Sequence, residues 1–176
     1  MKYVNPKNIH RLFYPSVPLL MCASYGNLKS AMPVVSYAAL SEIPPLVGVS
    51  CLLASNTLKL ARKSGCFGLC ILDKRYYRSV EFLGTHSSRE IKDKISASGL
   101  TPVKAKSINC YVISESSAVV ECINSRRIAT GDHVLLIGKV VESYASEDFR
   151  EYWSFRNYKP ILYTGIKDGF TMYGEG

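Results

Sequence analysis

The chain lacks the features that would place it in a membrane or among the common dinucleotide-binding folds. None of its apolar runs approaches the roughly 18 residues that a membrane-spanning helix needs. No Gly-x-Gly-x-x-Gly motif follows a predicted strand, which argues against a Rossmann unit. The sequence also has no internal repeat and no low-complexity tract. We therefore predict a soluble globular protein that does not bind to membranes.

The six cysteines do not have the spacing of a metal site. Cys66 and Cys70 form a Cys-x-x-x-Cys pair, but no Cys-x-x-Cys pair is present and no second pair of ligands lies close in sequence. Nearly all six lie inside apolar, strand-like segments, which is typical of buried free thiols. We expect no metal ion, and we expect a reducing compartment, the cytoplasm.

The chain carries an excess of positive charge. Its 22 lysines and arginines stand against 14 acidic residues, which gives a formal net charge of +8. The basic residues are scattered in small groups, such as Arg62-Lys63 and Arg126-Arg127, and are not interleaved with aromatic residues along a strand. A phosphate-bearing small molecule is therefore a better-fitting partner than nucleic acid, and a solvated basic surface is the alternative interpretation.

The N-terminal region has some similarity to a secretory signal peptide. Three basic residues precede the apolar run over residues 12–22. Pro15 and Pro18 interrupt this run and would break the helix that a signal peptide forms. We interpret residues 17–24 as the first β-strand of the fold.

The hydrophobic pattern predicts mainly β-strands, with helices in the middle of the chain. Strands are expected over residues 17–24, 29–37, 46–52, 66–72, 108–113, 118–123 and 134–144, and helices over 57–63, 74–82 and 88–98. Residues 36–42 are small and polar, and we interpret them as a loop. Short turns separate the later strands, which indicates an antiparallel sheet. One domain over residues 1–176 is expected, as a closed or nearly closed barrel without exposed edges.

Two stretches present hydroxyl groups where an anion could bind. The first holds Ser30, Ser36, Ser41 and Ser50 beside small residues, which would let an anion approach the backbone. The second is the segment 55–57 (SNT), which precedes a predicted helix whose N-terminal amides favour negative charge. A polar turn and an ordinary helix cap are the structural alternatives, and the pattern leaves both open.

Two further features allow a functional or a structural interpretation. His133 follows Asp132 at the start of a predicted strand, where the carboxylate could orient the imidazole or cap a turn. Aromatic residues cluster between positions 144 and 158, where they could stack on a ligand ring or fill a core or subunit interface. Packing is the preferred interpretation of the aromatic cluster.

Several segments, in order along the chain, resemble the flavin reductase-like family of FMN-binding split-barrel proteins, which includes flavin reductases and flavoredoxins. The segments are residues 15–22 (PSVPLLMC), 30–36 (SAMPVVS), 41–50 (SEIPPLVGVS), 55–57 (SNT), 67–70 (FGLC) and 130–140 (TGDHVLLIGKV). They span most of the chain, and their order and spacing carry the resemblance. The sequence departs from the family pattern at Cys70, where many relatives have asparagine.

The resemblance implies a mainly β fold, an antiparallel Greek-key split β-barrel with a few flanking helices. It also implies a homodimer with FMN near the subunit interface, FAD being the alternative flavin. The implied flavin-binding residues are Ser30, Ala31, Met32, Pro33, Ser36, Ser50, Cys51, Ser55 and Thr57. Of these, the loop around positions 31–33 would lie along the flavin ring.

Basic residues at the flavin phosphate are the second departure from the family pattern. Few arginines stand where relatives place a long basic side chain, and Lys59, Arg62 and Lys63 are the candidate substitutes.

The function that the resemblance implies is an NAD(P)H-dependent flavin reductase, in which hydride passes from the nicotinamide to the flavin. His133 matches a family histidine close to both rings and is the candidate catalytic residue. The alternative is a flavoredoxin-like FMN electron carrier that acts with protein redox partners. The sequence does not separate these two functions.

Overall fold

The computed structural model describes residues 1–88, 90–165 and 170–172, most of which form or connect β-strands. The strands are β1 (Leu19–Tyr25), β2 (Leu28–Val34), β3 (Tyr37–Glu42), β4 (Pro45–Leu52), β5 (Cys66–Ile71), β6 (Pro102–Lys104), β7 (Tyr111–Ile113), β8 (Ala118–Thr130), β9 (His133–Ala145), β10 (Ile161–Tyr163) and β11 (Phe170–Met172). The α-helices are α1 (Asn56–Ser64), α2 (Tyr77–Thr85) and α3 (Lys94–Ala97), and Pro6–Phe13 and Lys74–Tyr76 are 3-10 helices. None of the helices in these described ranges has the length and apolar character needed to cross a membrane.

Seven strands form one antiparallel sheet in the order β2-β1-β5-β8-β9-β4-β3. The prediction of a mainly β, antiparallel fold with a few flanking helices is confirmed. Strands β2 and β3 are the two edges, and no ladder joins them within the described residues, so the sheet is not closed. Three strands lie between β1 and β4, yet Cys51 Sγ of β4 is 3.5 Å from Met21 Sδ of β1. The sheet therefore curls around its core, as in a split barrel.

An apolar core lies on each face of the sheet, because successive side chains of a strand point to opposite faces. Met21 of β1 packs in one core with Phe67 of β5 and residues of α1. Leu20 and Cys22 face the other core, which holds residues of α2 and α3. Burial on both faces explains why β1 is a continuous apolar run. All six cysteines are buried free thiols, as the sequence predicted.

The helix predicted over residues 57–63 is confirmed as α1, and its ends follow local rules. Ser55 is the N-cap, and its Oγ accepts a hydrogen bond from Leu58 N at 3.3 Å. Gly65 ends the helix with φ +77°, a left-handed conformation that glycine adopts without steric cost.

The prediction that residues 36–42 form a loop is wrong, because Tyr37–Glu42 is strand β3. It pairs with β4 in a register that places Tyr37 opposite Val49, with a bulge between Ala39 and Ser41. As the last strand of the sheet, β3 leaves most of its residues exposed, and its short run of small apolar residues next to Ser41 and Glu42 lacks the alternation that marks a half-buried strand.

The helix predicted over residues 88–98 is also wrong in extent, since helix is confined to α3 among the described residues of this segment. Asp93 Oδ1 accepts a hydrogen bond from Ser96 N at 3.2 Å and caps α3 at that point. A side chain that caps the backbone locally competes with continuation of a helix through it.

The strand predicted over residues 108–113 is reduced to β7. The loop before β7 is held by the buried carboxylate of Glu121, which accepts hydrogen bonds from Lys106 N at 2.8 Å and Ser107 N at 2.7 Å. Backbone groups in this loop thus bond to a side chain of β8 instead of to a neighbouring strand.

Candidate functional site

A cleft of about 440 Å³ opens between the N-terminus of α1, strand β2 and the C-terminal end of α2. We call it the serine cleft, because its polar lining is mostly hydroxyl groups. These come from Ser30, Ser55, Thr57, Ser87 and Ser88. The fold thus brings the hydroxyl groups of three predicted flavin-binding residues, Ser30, Ser55 and Thr57, to one place.

Hydrogen bonds hold the hydroxyl groups of the serine cleft close together. Ser30 Oγ lies 2.8 Å from Thr57 Oγ1 and 3.4 Å from Ser88 Oγ. Both Ser30 and Thr57 are buried. Ser55 Oγ caps α1 and also lies 2.9 Å from Met32 Sδ. Hydroxyls can rotate to donate or accept, so this cluster can turn toward an anion at the α1 N-terminus.

Lys94 also lines the serine cleft, and the sequence analysis did not identify it as a site residue. Its side chain is buried, and Nζ donates to Leu83 O at 2.8 Å and His86 O at 3.1 Å. Burial lowers the pKa of Lys94. No local sequence signal marks this lysine, because its burial depends on α2 packing beside it.

The basic residues suggested as substitutes for a phosphate-binding arginine lie elsewhere. Arg62 and Lys63 are in the last turn of α1, at the end opposite the cleft, and Lys63 Nζ lies 5.7 Å from the ring of Tyr25. Lys59 is exposed on the same helix and is not part of the cleft lining.

A second cleft of about 540 Å³ adjoins the first, and we call it the histidine cleft. The two clefts share Met32, Pro33 and Leu52 in their linings. Four predicted site residues line the histidine cleft further along: Ser36, Ser50, Cys51 and His133. Ser50 N donates to Ser36 O at 2.8 Å, which fixes the two serine backbones together. The predicted residues thus follow one continuous depression.

His10 and Tyr14 of the N-terminal region also line the histidine cleft. Neither residue was predicted as a site residue, because no local pattern before the first strand marks a binding side chain. Their rings lie 6.3 Å apart, edge to face, and Tyr14 also contacts Tyr163 at 4.9 Å. The N-terminal region therefore forms one wall of the candidate site.

His133 stands at the mouth of the histidine cleft and is oriented by its neighbour. Its Nδ1 lies 2.7 Å from Asp132 Oδ1, and the hydrogen bond from His133 lowers the pKa of Asp132. An ionised carboxylate only accepts hydrogen bonds, so Nδ1 carries a proton and Nε2 is the nitrogen left for other partners. Of the two interpretations, orientation of the imidazole agrees with this geometry.

Two of the predicted flavin-binding residues do not present an accessible side chain to either cleft. Cys51 is 1% exposed, and burial raises the pKa of its thiol to about 12, so the side chain is a neutral core group. Ala31 is fully buried in the other core and lines neither cleft. The prediction of a loop around positions 31–33 is wrong, since these residues belong to β2.

Other concave regions of the described chain fit the predicted ligand less well. A cleft of about 670 Å³ on the loop at residues 147–157 has three carboxylates and two arginines in its lining, so its formal charge is negative and it suits an anion less well than the serine cleft. In the aromatic cluster, Trp153 packs against Phe149 and Tyr158 with ring centroids 5.2 and 4.1 Å away. This contact agrees with the packing interpretation of the cluster.

Sequence comparison assigns most of the chain to a known family. The model of the family described as flavin reductase like domain matches residues 10–162. An uncharacterized protein of Aeropyrum pernix is 30% identical over 166 residues, which cover 94% of this chain. The aligned region spans only 63% of that relative's length.

Solved structures share the fold at low sequence identity. Flavoredoxin of Desulfovibrio vulgaris gives a TM-score of 0.80 at 22% identity, covering 93% of this chain and 89% of its own. An FMN-binding protein from Thermus thermophilus gives 0.82 at 24%, covering 98% and 93%. The NADH:FAD oxidoreductase of Streptomyces globisporus gives 0.81 at 18%, covering 99% of both chains.

Proposed function

Because the chain belongs to the flavin reductase like domain family, we propose that it is an FMN-binding oxidoreductase that transfers hydride from NAD(P)H to flavin. One observation carries the proposal: hydroxyl groups from β2 and from the start of α1 converge in a cleft that continues into a second cleft lined by His133. The shared fold with an FMN-binding protein and with an NADH:FAD oxidoreductase supports it.

The serine cleft has the donor set that a flavin phosphate requires. Its hydroxyls can donate to phosphate oxygens, and the free amides at the start of α1 add the positive end of the helix dipole. None of the described residues that line it is Asp or Glu, so no carboxylate repels the anion. In this proposal, Ser30, Ser55 and Thr57 hold the phosphate.

The histidine cleft fits the flat ring system. Met32 and Pro33 are shared by the two clefts and would contact the ring beside the phosphate, while Ser36 and Ser50 offer polar groups along its edge. Bound flavin would supply the hydride acceptor, and the protein groups would position the two reactants. His133, held by Asp132, would present Nε2 to the nicotinamide or to the flavin edge.

Several wider properties belong to the same proposal. We propose that residues 1–176 act as one flavin-binding domain, that two copies form a homodimer with the flavin near the interface, and that the protein works in the cytoplasm. Six unpaired cysteines support a reducing compartment. A dinucleotide is the proposed small-molecule partner, with neither nucleic acid nor a membrane as a partner.

Purification followed by anaerobic reduction tests the function. We expect a yellow protein that releases FMN on denaturation, and we expect NADH or NADPH to bleach the flavin absorbance under anaerobic conditions. Comparing the two nicotinamides at equal concentration gives the cofactor preference.

Two other results would change the conclusion. The fold shared with flavoredoxin supports an electron carrier as the second candidate, and bleaching only by a reduced protein partner would favour that function. A colourless protein that does not bind FMN at micromolar concentrations would reject both.

A further inference from the structure

Four of the six cysteines lie together in one core, apart from the two clefts. Cys22, Cys66, Cys70 and Cys110 all belong to the core that packs against α2 and α3. Neither the serine cleft nor the histidine cleft has any of the four in its described lining. The proposed function therefore leaves these thiols without a role. Neighbouring thiols can form a disulfide where their sulfurs can approach each other and an oxidant can reach one of them.

The thiols of Cys66 and Cys110 interact directly. Cys66 is the first residue of β5, and Cys110 immediately precedes β7. A hydrogen bond joins the two thiols, and Cys66 Sγ lies 3.7 Å from the backbone oxygen of Asn109, the residue before Cys110. The hydrogen bond with Cys110 is the main cause that lowers the pKa of Cys66 to about 6, and it raises the pKa of Cys110. Cys66 is therefore the thiol that is ionised, and so nucleophilic, at neutral pH.

Cys66 is also the cysteine that solvent reaches most easily. It is 6% exposed, whereas the other five cysteines are at most 2% exposed. Burial raises the pKa of Cys51 and of Cys122 to about 12, so these two thiols stay neutral. Oxidation of a thiol follows its thiolate character and its exposure. Both properties point to Cys66 as the first thiol that a small oxidant would attack.

Cys22 and Cys70 form a second close pair, but the sheet holds them apart. Their sulfurs are 3.8 Å from each other. The register of β1 and β5 places Cys22 opposite Gly68, so Cys70 is its diagonal neighbour. Diagonal neighbours have Cα atoms about 7–8 Å apart, whereas a disulfide needs about 4.4–6.8 Å. Cys110 lies in the loop before β7, outside the seven-stranded sheet, so its sulfur can move toward its partner.

We propose that Cys66 and Cys110 form a redox-active pair, a modification site that hydrogen peroxide converts into a disulfide. The Cys66 sulfur first attacks a peroxide oxygen. An S–O bond forms as the O–O bond breaks, and the released hydroxide takes up a proton and leaves as water. The Cys110 sulfur then attacks the sulfenic sulfur, the S–S bond forms as the S–O bond breaks, and a second water leaves with the thiol proton. Two thiols thus lose two electrons to one hydrogen peroxide.

This site is independent of the proposed flavin chemistry, because neither thiol belongs to the described lining of the two clefts. A low-molecular-weight thiol would reverse the modification by thiol–disulfide exchange. In a reducing compartment the disulfide would therefore be transient and would form only while peroxide is present.

Peptide mapping of the full chain tests the proposal. The purified protein is reduced, freed of reductant, treated with hydrogen peroxide and digested without reduction. We expect mass spectrometry to find the peptides of Cys66 and Cys110 joined, two hydrogens lighter than the separate peptides, and released again by dithiothreitol. Cys110→Ser should stop at the sulfenic acid of Cys66, which dimedone traps. Cys70→Ala is the matched control, since it disrupts only the second pair, and it should form the same disulfide.

Three results would overturn the proposal. They are six reduced thiols after treatment with excess peroxide, a disulfide that joins other cysteines or two chains, and dimedone labelling of a cysteine other than Cys66 in Cys110→Ser. If a variant does not fold, the peptide map of the unaltered protein decides alone. Failure to bind flavin would reject the proposed function and leave this site standing.

Discussion

Single side chains of the serine cleft serve the fold and the proposed ligand at the same time. Ser55 Oγ caps α1 through Leu58 N, and Thr57 Oγ1 bonds to Ser30 Oγ across to β2. The structure thus shows that the structural alternative considered for positions 55–57, helix capping, is real. It also places the capped end of α1 in the cleft, so capping and anion binding are compatible here.

The double variant Ser55→Ala with Thr57→Ala tests these hydroxyls. Each proposed hydrogen bond to the phosphate is worth about 1.5–3 kcal/mol, so we expect a marked loss of FMN affinity in a fluorescence titration. Ser146→Ala, which changes an exposed serine outside both clefts, should bind FMN normally.

Loss of the N-cap alone should cost about 1 kcal/mol of the free energy of unfolding, which urea denaturation will report separately. Affinity that stays unchanged in a folded double variant would remove Ser55 and Thr57 from the proposed site.

Among the elements, strand β9 packs tightly against the core at Gly138, where there is no room for a side chain. A Cβ added to Gly138 would lie 2.6 Å from Phe67 Cζ and 2.7 Å from Cys122 Cβ, both in the fully buried core. On the neighbouring strand β4, a Cβ at Gly48 would lie 2.8 Å from Leu40 Cδ1, the end of a side chain that is 44% exposed. The neighbours of Gly138 are enclosed in the core, whereas the Leu40 side chain beside Gly48 can move.

We expect Gly138→Ala to lower the free energy of unfolding by about 1–3 kcal/mol, because Phe67 is fully buried and cannot move into solvent. Gly48→Ala is the matched variant and should cost less, since Leu40 can rotate into solvent. Urea denaturation of both variants measures the difference. Equal stability of Gly138→Ala and the unaltered protein would show that the core beneath β9 is looser than described.

At the scale of the whole molecule, large apolar side chains remain exposed beside the clefts. Leu52, which lines both clefts, is 48% exposed and Leu53 is 46% exposed. In the N-terminal 3-10 helix, Leu12 and Phe13 are exposed close to Tyr14, which lines the histidine cleft. Other exposed apolar side chains, such as Ile43 and Tyr152, lie outside the clefts, but an apolar group beside a binding site is a common feature of an interface, and we take the four beside the clefts as the candidate contacts of the proposed homodimer.

We expect light scattering to give a mass of twice 19.6 kDa. Leu53→Glu should shift the protein toward the monomer and lower its flavin content, because a charge would be buried at the proposed interface. Leu28→Glu, at an exposed leucine beside the turn between β1 and β2, should remain dimeric. A monomeric unaltered protein that binds FMN tightly would contradict the dimer.

The sequence by itself determined the elements whose signals are local. The strands β1, β4 and β5 are apolar runs, and α1 has a serine cap at one end and a glycine at the other. These features depend on neighbouring residues in the chain, so they can be predicted without knowledge of the fold. For the same reason, Ser55 and Thr57 could be named as anion-binding candidates from the helix start alone.

Only the tertiary structure decided which distant groups meet. Strand β3 exists because β4 offers it a pairing partner, and Lys94 lines a cleft because α2 buries it. His10 joins His133 in one cleft although 123 positions separate them in the sequence. Such contacts form only when segments that are distant in sequence pack together, and no local propensity encodes them. The curled sheet therefore brings the residues of the candidate site together, whereas its individual hydroxyl groups could be identified from the sequence.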